Sequence, residues 1–247
     1  MNTNTLSSSA AAAVPSPSRT ATATPAQPTR RIVDAATRAF HWLFALCFVG
    51  AYLSAESERL RLLHVCLGYA MAGLLVFRIV DGLVGPRQVR WSALWSKLSG
   101  AATWLRSLPQ ARSWADVNLR QGQNLLMVLM VVALMALVVP VTLTGYASFN
   151  DWGGEWLSEL HEGVGEAFLW VVLGHLGALL AISLTRRQNL ALPMLTGRTP
   201  GRGPDLVRHN RVWLALLLVV AVAGYLGWEW TQSPRGLVPL SAVAQED

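Results

Sequence analysis

The chain has 247 residues, of which 53% are hydrophobic and 14% are charged, whereas about a quarter of the residues in ordinary soluble domains carry charge. Its 20 basic and 14 acidic residues give a net charge of +6, which points to a nucleic acid or a membrane surface as a partner. Cys47 and Cys66 both lie in apolar runs and lack metal-ligand spacing, so they imply neither a disulfide framework nor a zinc site.

The first 29 residues, MNTNTLSSSAAAAVPSPSRTATATPAQPT, are rich in Ser, Thr, Ala and Pro. They lack the basic start and the apolar stretch of a secretory signal peptide. Because such a composition cannot bury a core, we expect residues 1–29 to form a disordered N-terminal extension.

Five apolar segments follow, each close to the ~20 residues that a helix needs to cross a bilayer. They predict an all-α integral membrane helical bundle. We expect residues 30–200 to form the membrane core, and residues 201–247 to form an additional transmembrane helix with a short external tail. The segments lie at about 37–55, 63–84, 123–146, 160–184 and 211–228.

Basic residues are concentrated in alternate connections of this bundle. By the positive-inside rule, this pattern places the N-terminus in the cytoplasm and the C-terminus outside. The topology explains most of the net charge, so no nucleic acid is expected as a partner. The 85–122 connection contains WSALWSKLSGAATWLRSL, which we expect to lie along the cytoplasmic interface. The basic residues are Arg19, Arg30, Arg31 and Arg38, then Arg87, Arg90, Lys97, Arg106, Arg112 and Arg120, then Arg186, Arg187, Arg198, Arg202, Arg208 and Arg211.

Four of the five histidines lie within the predicted spans or at their ends, and only His209 lies in a basic loop. A single histidine there could simply bind a neighbouring helix through a hydrogen bond. Four together are different, because polar side chains at membrane depth are costly and usually functional. The four are His41, His64, His161 and His175.

The spacing of these histidines predicts two sites. His161 and His175 are fourteen residues apart, so they share one helix face with an axial separation of about 21 Å. The topology places His64 at the outer level with His161, and His41 at the inner level with His175. This arrangement suits two bis-histidine haems b held between facing helices. One zinc site using all four histidines is excluded by the ~21 Å separation.

Three further residues are candidates for cofactor binding. Gly68 and Gly165 each follow a histidine, His64 or His161, by four residues, and would let a flat porphyrin approach the helix backbone. Ordinary packing of small residues between membrane helices is the alternative. Arg78 faces the inner level, where it could pair with a haem propionate or extend to the membrane surface.

Four segments carry a resemblance to a known family: RAFHWLFAL, LHVCLGYAMAGLLVFRIVDGLVGPR, LHEGVGEAFLWVVLGHLGALL and NLALPMLTGR. Together, over about residues 31 to 200, they resemble the bacterial cytochrome b561 family, which includes the b-type subunit of nickel-iron hydrogenases. The resemblance implies a four-helix haem core in the bacterial inner membrane, with ligands that match the four histidines above. The segment VVPVTLTGY, Asp81 and the fifth span depart from the family pattern.

The resemblance also implies quinone-linked electron transfer. We expect a di-haem b-type cytochrome that passes electrons between the quinone pool and a redox partner, foremost a periplasmic c-type cytochrome. Alternatives are a membrane anchor of a hydrogenase or dehydrogenase, a superoxide:quinone oxidoreductase and, outside redox chemistry, a haem carrier or sensor. Quinol would not reduce a carrier, and an anchor would co-purify with its catalytic partner.

Overall fold

A computed structural model describes residues 28–87, 89–110, 113, 117–233 and 237. Five long helices dominate this part of the chain: α1 (Ala35–Ser54), α2 (Arg61–Val84), α4 (Leu119–Phe149), α5 (Glu155–Arg186) and α7 (Val212–Gln232). All five are long and apolar enough to cross a membrane, which confirms the predicted spans and the all-α membrane bundle. Two shorter helices, α3 (Trp91–Ser107) and α6 (Leu192–Thr196), lie in the connections.

The helix boundaries follow from local chemistry. Asp34 begins α1 by accepting the backbone N–H of Thr37 on its side chain at 2.8 Å. Asn118 caps α4 in the same way, with Gln121 as the donor at 3.0 Å. At the other end of a helix, α5 stops where Arg187 adopts the left-handed conformation.

The bundle packs in two halves. The α4 and α5 helices lie side by side, α1 pairs with α2, and α2 also packs against α4. The fifth long helix, α7, packs chiefly against α1. The buried core lies between the halves and contains Phe44, Leu74, Val138 and Phe168. Large apolar side chains also cover the outside of the bundle, as expected for surfaces that face lipid.

A small antiparallel strand pair closes one end of the bundle. Strand β1 (Thr29–Arg31) pairs with β2 (Arg198–Pro200), with Arg30 opposite Thr199. The carbonyl of Gly197 accepts the backbone N–H of Ile32 at 2.9 Å. The sequence did not predict these strands, because each is only three residues long and its partner is far along the chain. They bring the segment NLALPMLTGR beside the start of α1.

The structure describes only some of the segments into which the sequence divides the chain. The disordered extension is expected over residues 1–29. Residues 1–27 of it lie outside the described residues, while Thr29 belongs to β1. Most of the expected external tail also lies outside them. The helix that precedes this tail is joined to the core by Arg211, as described below.

Candidate metal centres

His64 and His161 face each other across the gap between α2 and α5. Their ring centroids are 5.9 Å apart, and the ring planes are nearly perpendicular at 88°. Because imidazole–metal bonds are about 2 Å long, two rings on opposite sides of one metal ion would have centroids roughly 6 Å apart, which is close to this separation. This proximity of His64 and His161 is what the expected outer pair requires.

Hydrogen bonds select the ring nitrogen of each histidine that is free to bind a metal. The Nδ1 of His64 lies 2.8 Å from the carbonyl oxygen of Ala51, and the Nδ1 of His161 lies 3.0 Å from that of Val141. A carbonyl only accepts, so the proton in each ring is on Nδ1. The lone pair on Nε2 remains available as the ligand, which is the usual arrangement of a metal-binding histidine.

The α4 helix packs closely against the ring of His161. Thr144 donates its hydroxyl to the carbonyl of Pro140 at 2.7 Å, and its oxygen lies 3.3 Å from His161 Nδ1. Gly145 lies against the same ring, since a Cβ at this position would come within 2.8 Å of Cε1 of His161. All three α4 residues belong to the segment VVPVTLTGY, so this part of span 3 supports the His161 ring.

His41 in α1 and His175 in α5 are the two residues expected to form the inner pair. Their rings are close enough for an electrostatic interaction. The Nδ1 of each ring is buried and, within the described residues, has no hydrogen-bond partner. Buried polar atoms without a partner are rare in folded proteins and usually mark a place where a ligand, an ion or a water completes the site.

The α5 helix leaves space beside the two helices that carry the other histidines. Among the described helices, α5 packs its backbone closely against α4 but makes no comparable backbone packing with α1 or α2. Gly68 and Gly165 border open space, because a Cβ added to either would meet no atom within 4 Å. Phe168 lies midway between His161 and His175 along α5, and its ring is 4.8 Å from that of Phe48. The contact between these two aromatic rings therefore lies between the level of His161 and the level of His175.

The donor set fits haem better than a bare ion. Within the described residues, no group of three or more His, Cys, Asp or Glu side chains could hold a metal ion. A metal with two protein ligands needs further ligands from outside the chain, and a porphyrin would provide four nitrogens. A pair of histidines would then supply the protein's own ligands to the haem iron.

A family model for prokaryotic cytochrome b561 matches residues 32–197, which is more than half of the chain. The chain belongs to the prokaryotic cytochrome b561 family. The cytochrome b561 match runs from the start of α1 to the end of α6, and it includes all four histidines. A search of the curated proteins and a search of the solved structures gave no match. As a member of this family, the protein is a membrane b-type cytochrome that takes part in electron transfer. Members of this family bind haem b.

Arg78 lies at the end of α2 that is nearer to the inner pair. Its Nη1 donates to the carbonyl of Val89 at 3.0 Å, and its guanidinium carbon is 5.5 Å from the ring centroid of Trp91. These contacts attach the α2–α3 connection to α2. Among the described residues, these contacts use one of the five N–H donors of the guanidinium, which leaves the others for a further anionic partner.

A buried ion network joins the fifth helix to the cytochrome b561 core. Arg211, just before α7, binds Asp34 at the start of α1 through Nε at 2.5 Å and binds both carboxylate oxygens of Asp81 in α2. Both aspartate side chains are almost completely buried. Burial lowers the pKa of Arg211, but the carboxylates of Asp81 and Asp34 more than offset this, so the pKa lies above its ordinary value.

Sequence reasoning missed four residues of these sites. Thr144 and Gly145 surround His161, and Asp34 and Arg211 complete the network around Asp81. The available signal was compositional: a Thr-Gly pair shortly after a helix proline, and an acidic side chain, Asp81, near the end of an apolar segment. Neither signal identifies the residue that is contacted, because that residue lies on another segment of the chain.

Proposed function

We propose that the protein is a di-haem b-type cytochrome that passes electrons between the quinone pool and a redox partner, foremost a periplasmic c-type cytochrome. The observation that carries the proposal is the presence of two histidine pairs at opposite levels of one bundle. When bound, the haem iron supplies the one-electron chemistry. The chain supplies the ligands, their orientation and a dry, apolar surrounding.

Each residue has a distinct part in this proposal. His64 and His161 hold the outer haem through Nε2, and His41 and His175 hold the inner one. The carbonyls of Ala51 and Val141 keep the outer rings in the ligating tautomer.

Other residues shape the space around the haems. Gly68 and Gly165 leave room for the porphyrin faces. Arg78 places a permanent positive charge near the inner haem, where it would pair with a propionate.

The orientation is part of the same proposal. Several contacts gather the basic segments at one end of the bundle: Arg31 N–H binds Asp205 at 2.6 Å, and Arg186 binds Gln123 at 2.7 Å. By the positive-inside rule, this end faces the cytoplasm of a bacterial inner membrane, and the C-terminus is periplasmic. A reporter that is active only outside the cytoplasm, fused after Asp247, should be active. Activity of a cytoplasmic reporter at that position would contradict this orientation.

Quinol reduction tests the proposed reaction. The oxidised, haem-loaded protein in detergent is mixed with a short-chain quinol, and the b-type absorption of reduced haem is recorded. We expect reduction by quinol, followed by reoxidation when a soluble c-type cytochrome is added. Reduction by dithionite but not by quinol would exclude a quinol-linked function and would leave the haem carrier or sensor. Stable co-purification with a dehydrogenase or hydrogenase would favour the anchor.

A further inference from the structure

A cavity outside the histidine sites lies between α3 and α4. The α3 helix crosses one end of the bundle and is tied down on both sides. Trp91 donates its indole N–H to the carbonyl of Ile79 in α2 at 3.2 Å, and Trp104 donates to the carbonyl of Asn118 beside α4 at 3.0 Å. Between these anchors α3 diverges from α4 and leaves a groove.

The groove has a polar end and an apolar end. Its volume is about 480 Å³, which is in the range of small-molecule sites. Lys97 and Asn124 provide the polar lining, with Gln121 beside them, and Leu125, Met127 and Val128 provide the apolar lining. Gln121 donates its amide to the carbonyl of Gly100 at 3.2 Å, so it holds the two helices at this separation.

The polar end presents donors and positive charge. Lys97 is exposed and, in the described part of the chain, has no carboxylate within ion-pair distance. Asn124 accepts from Arg186 through Oδ1 at 3.0 Å, so its amide NH₂ is the group left to bind a ligand. The groove lining contains no acidic residue. This end therefore matches an anion.

We propose that the groove holds one anionic phospholipid. The phosphate binds Lys97 and the Asn124 amide, and the first part of an acyl chain packs on Leu125 and Val128. The position supports this occupant, because the groove lies along the first turns of a membrane-spanning helix, where headgroup and chain meet. Under the proposed orientation this is the cytoplasmic leaflet, whose anionic lipids attract basic residues. The choice of leaflet rests on the proposed function, but the lipid contact does not.

Native mass spectrometry of the whole haem-loaded protein tests the inference. The protein is released from mixed micelles with equal amounts of phosphatidylglycerol and phosphatidylethanolamine. We expect the wild type to retain one phosphatidylglycerol. Lys97→Gln should reduce this retention about fivefold, the factor that one basic residue near a charged bilayer contributes. Ala101→Trp, which fills the groove from the α3 side, should abolish it.

Arg106→Gln is the matched control, because it removes the same charge from an exposed position on α3 outside the groove. It should retain the lipid as the wild type does. Equal losses in Lys97→Gln and Arg106→Gln would mean that net charge alone attracts the lipid, and would overturn the site. Equal retention of the two lipids, or retention unchanged by Ala101→Trp, would overturn it as well. The mass measurement involves neither quinol nor electron transfer. Its outcome therefore does not depend on whether the proposed quinol-linked reaction is correct.

Discussion

The imidazole of His161 lies directly on the backbone of Gly145, on the neighbouring helix. A Cβ at residue 145 would come within 2.8 Å of Cε1 and 3.1 Å of Nδ1 of this ring. The close contact also brings Nδ1 to the Val141 carbonyl, which fixes the tautomer. The position of the His161 ring is therefore set by the absence of a side chain at residue 145 on α4.

Gly145→Val should remove the outer haem selectively. The added side chain must displace the His161 ring, because it would overlap atoms of an imidazole held between two helices. We expect the haem content to fall from two to one per chain by pyridine haemochrome analysis. Gly163→Val is the control, since residue 163 lies in α5 next to the site but borders open space. Two haems in both variants would show that His161 does not need this surface.

Arg211→Gln should loosen the fifth helix and destabilise the protein. The change removes the cation that binds the buried carboxylates of Asp34 and Asp81, and breaking a buried pair typically costs about 3–5 kcal/mol. The free energy of unfolding, measured by denaturant titration in detergent, should fall by about this amount. Arg208→Gln removes the same charge from an exposed residue three positions earlier and should have little effect.

Further variants distinguish two causes of this loss of stability, the uncompensated charge of the carboxylates and the lost contacts of Arg211. If uncompensated carboxylates are the cause, Asp34→Asn and Asp81→Asn in the Arg211→Gln background should restore part of the stability. A triple variant less stable than Arg211→Gln alone would contradict the charge argument.

Arg78→Gln should lower the midpoint potential of the inner haem. A ferric haem carries one more positive charge than a ferrous one, so removing a nearby positive charge favours the ferric form. The outer haem, about 21 Å away along the bundle, should shift much less. A redox titration that resolves both haems measures the effect, and Arg78→Lys should give an intermediate value. An unchanged inner potential with both haems retained would limit Arg78 to its contacts with Val89 and Trp91.

The parts that the sequence predicts are those fixed by one helix or by the bilayer. The five spans follow from length and hydrophobicity, and the common face of His161 and His175 follows from the period of a single helix. The pairing of His64 with His161 needed only the alternation of helix direction. These inferences do not depend on how the helices rotate against one another.

The remaining contacts depend on packing between distant segments. Nothing local in the sequence shows that Gly145 faces His161 or that Arg211 reaches back to Asp34, 177 positions earlier. The contact of Arg78 with Val89 likewise depends on how the connection folds over the end of α2. Such partners are chosen by the tertiary arrangement, so they became visible only in the structure.

The haem content of double histidine variants tests the central claim, that the four histidines form an outer and an inner site. Replacing His64 and His161 together by Ala should leave one haem per chain, and so should replacing His41 and His175. Replacing His41 and His64 together should leave none, because each site loses a ligand. His209→Ala, in an exposed loop, should keep both haems. One haem retained in the His41/His64 variant would mean that these two residues share an iron, and would contradict the two-level arrangement.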